Sequence, residues 1–290
     1  MQAISHEQRA TILMEALPYI TKYHNKIIVI KYGGAAMLNE TLKRQMMGDI
    51  ALLHLVGVRV VLVHGGGPEI SELLSRMGKE SRFIDGLRVT DRETAEVAQM
   101  VLAGKINKGL VALMETYGRH AIGLSGLDGQ MIKARQLDER LGLVGEITQV
   151  DTKPILTQLD NEYIPIISTL GCDKEGNVYN INADTAAARI AAALGAESLI
   201  LMSDIPGLLR DVSDENSLIR RVRAEEIPQL VEQGVISGGM IPKIECCAAA
   251  LHAGLRKVFI LDGRVEHSIL MEILTDAGIG TMLTNGGGTQ

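Results

Sequence analysis

Ile27-Ile28-Val29-Ile30-Lys31-Tyr32-Gly33-Gly34 and Val58-Arg59-Val60-Val61-Leu62-Val63-His64-Gly65-Gly66-Gly67 decide the fold. Each is a short, nearly continuous apolar run that ends in glycines. Such runs suit strands buried on both faces. Helical patterns follow each of them, at Asn39–Val56 and Pro68–Met77. The alternation then continues. Thr94–Tyr117 reads as a helix with a soft spot at Gly104, and Ala121–Ser125 and Tyr163–Ser168 read as strands. Asp184–Leu194 is an Ala-rich helix, Ser198–Met202 a strand, Ala248–Ala253 a helix, Lys257–Asp262 a strand and Val265–Thr275 a helix. This pattern predicts an α/β fold with a mainly parallel sheet covered on both faces. Residues 126–150 differ. Met131–Ala134 and Leu143–Ile147 are short, Gly-punctuated pieces that read as antiparallel hairpins on the rim of the sheet. Asp211–Asn216 reads as an exposed loop. No Pro/Ser linker separates two halves, so both are expected to share one sheet.

The chain has 290 residues, 46% of them hydrophobic, which supports one large domain or two lobes. A net charge of -6, no Trp and two Phe argue against a nucleic-acid partner, because backbone attraction and stacking platforms are both lacking. Three cysteines, two of them adjacent at 246 and 247, form no disulfide framework or paired metal motif. Cys246 and Cys247 fall in a helical stretch and read as core rather than reactive groups. A reducing cytoplasm is the simplest setting. Glu7, Arg9 and Glu15 interrupt the first 22 residues, so no signal peptide is expected. No apolar run nears the roughly 18 to 20 residues of a membrane span, and no membrane partner is expected. Ile12, Leu13, Ala16, Leu17 and Ile20 share a helical face, with Pro18 as a bend or break. By itself this helix reads equally as packed on its own domain or as an oligomerisation arm.

The chemistry is expected at the glycines. Bare backbone amides and lysines at strand ends suit an anion whose charge shifts during reaction, above all a polyphosphate. Neither GxxxxGK[ST] nor GxGxxG occurs. Lys31 precedes Gly33-Gly34, and Lys243 follows Gly238-Gly239-Met240. Either lysine alone could be an ordinary surface residue. Asn180, Asn182 and Asp184 precede an Ala-rich helix. Alternation would set them on one side of an extended segment, and Asn182 or Asp184 could also cap the helix. Arg88 lies between apolar neighbours and suits either a carboxylate ligand or a surface ion pair. Asp204 could contact a nucleotide or shape its turn.

Taken in order, Lys31-Tyr32-Gly33-Gly34, Val63–Gly67, Gly86–Thr90, Asn180–Asp184, Ser203–Gly207 and Gly238–Lys243 resemble the amino acid kinase family. The resemblance covers residues from about 10 to about 284. Within the family the chain is similar to the branch that phosphorylates N-acetyl-L-glutamate in arginine biosynthesis. The resemblance implies a three-layer αβα sandwich around a central, mainly parallel sheet. It implies a kinase domain over 26–285, with an acceptor-binding N-lobe at about 26–185 and an ATP-binding C-lobe at about 186–285. An N-terminal arm would occupy 1–25 and a disordered tail 286–290.

By the same resemblance, Lys31 and Lys243 match two transition-state lysines and Asp184 the aspartate that holds them. Gly66, Gly67, Arg88 and Asn180 match acceptor contacts, with Arg88 on the α-carboxylate. Gly33, Gly34, Asp204, Gly207, Leu209, Gly238, Gly239 and Met240 match the ATP loops. The cofactors implied are ATP and the Mg²⁺ that ATP carries, with no resident metal. Gly263–Leu283 resembles the C-terminal signature of arginine-inhibited members. Tyr19, His267, Glu272 and Gly280 match their arginine site, with Glu272 as the carboxylate fork for the guanidinium. Such members assemble through the N-terminal helix into a hexamer, a trimer of dimers. Whether a nitrogen-signalling PII protein binds is left open. His64 reads as a packing or hydrogen-bonding residue beside the loop. Rival readings are a kinase for glutamate, aspartate or carbamate, and a non-catalytic arginine sensor.

Overall fold

The structure, a computed structural model, describes residues 5–276 and 278–286. The helices are α1 (His6–Tyr23), α2 (Glu40–Leu55), α3 (Gly67–Arg76), α4 (Arg92–Gln99), α5 (Asn107–Glu115), α6 (Lys153–Asp160), α7 (Ala183–Ala193), α8 (Ile227–Glu232), α9 (Met240–His252) and α10 (Ser268–Leu274). The strands are β1 (Ile27–Tyr32), β2 (Arg59–His64), β3 (Phe83–Ile84), β4 (Leu87–Arg88), β5 (Ala121–Ser125), β6 (Ile132–Gln136), β7 (Gly145–Val150), β8 (Ile164–Ser168), β9 (Leu170–Cys172), β10 (Val178–Asn180), β11 (Ser198–Ser203), β12 (Arg221–Arg223), β13 (Lys257–Asp262) and β14 (Thr281–Thr284).

Eight strands form one sheet in the order β12-β14-β13-β11-β1-β2-β8-β5. Only the β13–β14 pairing is antiparallel. The sheet carries two apolar layers. Ile28, Ile30, Val60 and Leu62 pack on α2, α3, α4, α5 and α10. Val29, Val61, Val63, Leu199 and Leu201 face α6, α7, α8 and α9. That is the expected αβα sandwich, and the continuous apolar strands follow from burial on both faces. From central β1 the chain moves to β2 on one side and returns to β11 on the other. In such a sheet, ligands bind beyond the carboxyl ends of the strands at this switch point. Lys31, His64 and Ser203 stand there.

The rim holds a second sheet, β10-β9-β6-β7. The hairpin expected in residues 126–150 is β6–β7, and β9 and β10 extend it. Between α4 and α5, Met100–Ile106 winds as a π-helix, which is where the soft spot at Gly104 lies. The run Arg92–Glu115 is therefore a 24-residue helix, long and apolar enough to cross a bilayer. Arg92, Glu93, Lys105, Lys108 and Glu115 punctuate this run, while Val97, Val101, Leu102, Leu110 and Met114 are buried in the core. The helix expected over Ala248–Ala253 starts at Met240, because Pro242 falls in its first turn, where no intrahelical N–H bond is lost. The helix expected over Val265–Thr275 is shorter, Ser268–Leu274.

α1 begins with a capping box in which Ser5 and Gln8 bond reciprocally. Only its last residue, Tyr23, is buried, and Ile12, Leu13, Met14 and Leu17 are exposed. Of the tail expected at 286–290, all but Gly286 lies outside the described residues.

Candidate active site

Three charges meet beyond the end of β1. Lys31 Nζ lies 3.0 Å from Asp184 Oδ1, and Lys243 Nζ lies 2.5 Å from Asp184 Oδ2. Both contacts are ion pairs, and the Lys243 contact is also a hydrogen bond. The side chains are 12%, 15% and 16% exposed for Lys31, Lys243 and Asp184. Burial works to raise the Asp184 pKa, but the two ammonium groups outweigh it and hold the carboxyl below its usual range. One aspartate thus ties a lysine from each half of the chain.

Local structure explains the placement. Asn182 caps α7, its Oδ1 accepting from the N–H groups of Asp184 (3.0 Å) and Thr185 (3.1 Å). The extended segment expected to align Asn180, Asn182 and Asp184 ends at Asn180, since the cap diverts the chain into a helix. Asp184 then sits in the first helical turn, where a negative charge is favoured. Lys243 sits in the first turn of α9, where the dipole disfavours it, and Asp184 supplies the compensating charge. Gly33 leaves room for Lys31: a Cβ there would come within 2.8 Å of Nζ.

In the loop expected to hold the acceptor, Gly66 caps α3 and Gly67 begins it. A Cβ on Gly66 would meet Ile106 Cδ1 at 2.3 Å and Leu102 Cδ2 at 2.8 Å, so the loop lies flat on the π-helix. Arg88 is buried, and burial lowers its pKa. Its guanidinium donates to Ser81 Oγ (2.5 Å), Gly67 O (2.8 Å) and Ser71 Oγ (2.8 Å), and it lies 4.8 Å from the Phe83 ring centre. Among the described residues no carboxylate pairs with it, so the ion-pair reading of Arg88 does not hold. Asn180 contacts Thr90 Oγ1 at 3.4 Å. The hairpin that carries Arg88 escaped the sequence reading, although Asp85-Gly86 between Phe83-Ile84 and Leu87-Arg88 is a strong two-residue hairpin signal. Both turn residues have positive φ, 51° and 78°.

In the loops expected to hold the nucleotide, Gly34 has φ 76°, and a Cβ there would lie 2.6 Å from Asp204 Oδ1. Asp204 therefore faces the Gly33-Gly34 loop. Gly207 packs against Thr281, whose Oγ1 accepts from Leu208 N–H at 2.8 Å, and Leu209 bridges to Leu218. Gly238 and Gly239 are exposed, and Met240 begins α9.

The four arginine-site candidates divide. Glu272 Oε2 accepts from the N–H groups of Ile279 (2.8 Å) and Gly280 (3.3 Å). A Cβ on Gly280 would strike Ile260 O. The Asp276 carboxylate just past α10 raises the Tyr19 pKa. His267 sits at the other end of α10, paired with Asp49 of α2 at 2.6 Å. That pairing raises the His267 pKa, while burial raises that of Asp49 despite it.

Known proteins place this geometry. Residues 26–262 match the model of the amino acid kinase family. An acetylglutamate kinase from Brachyspira hyodysenteriae is 56% identical over 284 residues, covering 97% of this chain and 99% of that one. An N-acetylglutamate synthase from Neisseria gonorrhoeae, solved with coenzyme A and N-acetyl-glutamate, superposes with TM-score 0.85 at 28% identity and covers 96% of this chain. This chain spans 64% of that synthase's length. The same synthase solved with coenzyme A and L-arginine gives TM-score 0.78 at 26% identity, covering 95% of this chain and 65% of that one. With its model matched across both halves of the sheet and its relative matched end to end, the chain belongs to the amino acid kinase family.

Proposed function

We propose that this chain transfers the γ-phosphoryl group of ATP to the side-chain carboxylate of N-acetyl-L-glutamate. The observation that carries this reading is the pair of lysines, one from each half, on a single half-buried aspartate. The acceptor carboxylate has an ordinary pKa of about 4.3 and is ionised at neutral pH, so no general base is required. The barrier is the approach of one anion to another. A carboxylate oxygen attacks phosphorus as the bond to the β–γ bridging oxygen breaks, and ADP leaves. Lys31 and Lys243 neutralise the charge spread over the transferring group, and the amides of Gly66 and Gly67, which also contact the acceptor, orient it. Asp184 orients the lysines and takes no proton. Arg88 and Asn180 hold the acceptor, with the unpaired guanidinium of Arg88 on the α-carboxylate. The loops around Gly33, Gly34, Asp204, Gly207, Leu209, Gly238, Gly239 and Met240 hold ATP. The Mg²⁺ ion is assigned to the nucleotide that carries it. The acceptor lobe is assigned to about 26–185, the nucleotide lobe to about 186–285, and the setting to the cytoplasm.

Arginine inhibition and a hexameric trimer of dimers belong to the same proposal. In support, α1 exposes Ile12, Leu13, Met14 and Leu17, Asp276 just past α10 influences Tyr19 of α1, and Glu272 of α10 accepts from Gly280 N–H. A coupled assay of acyl phosphate tests the reaction. N-acetylglutamate should be strongly preferred over free glutamate, and the reverse preference overturns the reading. Repeating it with arginine on a chain lacking residues 1–24 tests the regulation. The truncated chain should run as an active dimer that responds weakly to arginine, and a truncated hexamer contradicts the role given to α1.

A further inference from the structure

His64 and Asn107 form a buried polar strut behind the acceptor loop. Both are almost fully buried, at 0% and 1% exposed. Asn107 Nδ2 faces Ile166 O (2.8 Å), Leu124 O (3.3 Å) and His64 Nε2 (3.2 Å). Two carbonyl oxygens fix the amide with its nitrogen toward them, because a flipped amide would set oxygen against oxygen. An NH₂ group only donates, and its two hydrogens serve three acceptors, so one is shared with His64 Nε2, which accepts, and the ring proton is on Nδ1. Nδ1–H then donates to Gly65 O, 2.9 Å away. Burial pulls the imidazole pKa down to about 4, against a smaller upward effect of the Gly65 bond, so the ring is neutral at physiological pH.

The consequence runs through one peptide plane. In a trans peptide the C=O and the following N–H point in opposite directions. With the Gly65 carbonyl turned to His64, the Gly66 N–H points away from the strut, where it finds no acceptor among the described residues. Gly65 is also pinned by its own N–H, which donates to Tyr32 O beside Lys31 (3.0 Å). The π-helix supplies the other end. Leu102 and Ile106 press on Gly66, and Asn107, the next residue, turns to His64. A Cβ on Gly123 would lie 1.9 Å from Asn107 Oδ1, so that glycine makes room for the amide. We infer that His64 and Asn107 are positioning residues that aim the Gly66 amide at the transferring phosphoryl group. The inference rests on the reaction proposed above and deepens it.

Isosteres separate this role from plain packing. His64→Asn keeps a donor at the Nδ1 position, whereas His64→Gln places its amide at the Nε2 position and cannot reach Gly65 O. His64→Gln should lower kcat about tenfold to a hundredfold, a fraction of the loss of a whole oxyanion donor, with KM for ATP unchanged. His64→Asn should stay within about threefold of wild type. Thermal unfolding is followed for both. If the two variants lose activity equally, or only in step with lost stability, the strut merely packs and the inference falls. Selective ¹⁵N-glycine spectra give an activity-independent reading. The Gly66 amide resonance should move in His64→Gln and stay in His64→Asn, and identical shifts overturn the inference. A wild type inactive on N-acetylglutamate would overturn the proposed reaction instead, leaving the glycine spectra to decide on the strut.

Discussion

The proposed acceptor half and the proposed nucleotide half of the site are built differently. Around Gly66 the backbone is enclosed, with Ile106 and Leu102 filling the space a side chain would need. Around Gly238 and Gly239 a Cβ would meet nothing within 4 Å. Arg88 is buried and held by Ser71, Ser81 and Gly67 before any ligand is considered. Asp204, by contrast, is exposed. One half therefore presents a preformed cradle, and the other presents exposed loops. The lesson concerns where precision is located. The small acceptor needs fixed donors, whereas a polyphosphate can be gathered by exposed amides.

Asp184 is where the halves are joined, and breaking that joint should have the largest effect. Lys243→Ala should lower kcat by on the order of 10³, since it removes a charge aimed at the transferring group and leaves Asp184 half paired. Steady-state kinetics checks this, and a variant within tenfold of wild type would refute the lysine's role. The next effect contrasts the two glycine loops. Gly66→Ala should cost about 1–3 kcal/mol of stability through overpacking and lower kcat as well. Gly239→Ala, with φ −65° and open space, should stay within about 0.5 kcal/mol. Chemical denaturation of both variants reads the difference, and equal losses would erase the distinction between the halves.

The smallest effect is one of pH. The Asp184 carboxyl is depressed in the folded state, so its stabilisation is complete above the unfolded value of about 3.9 and is lost as pH falls through the lower folded value. The stability gap between wild type and Asp184→Asn should therefore be flat from pH 8 to 5. A gap that already narrows at pH 6 would mean that the carboxyl is not depressed.

Much of the architecture is legible because burial on both faces writes itself as continuous apolar runs. β1, β2, β11 and β13 lie within a residue or two of their sequence readings for that reason. The strands β9, β10, β12 and β14 are three or four residues long, too short to carry a period. The start of α9 was hidden by Gly238-Gly239 and Pro242, which look like loop residues yet are allowed before and within a first helical turn. Lys31, Asp184 and Lys243 were visible only as an ordered set of motifs. Their meeting depends on strand order across the sheet, which local sequence does not encode. The His64–Asn107 strut spans 43 residues, and its partners are backbone carbonyls, so no side-chain pattern announces it.

The central claim is that lysines from opposite halves act on one phosphoryl group. A crystal structure with ADP, aluminium fluoride and N-acetylglutamate measures this directly. Both Lys31 Nζ and Lys243 Nζ should lie about 3 Å from the fluoroaluminate, each still within reach of Asp184. A structure in which either ammonium group stays farther than about 6 Å from it would contradict the account.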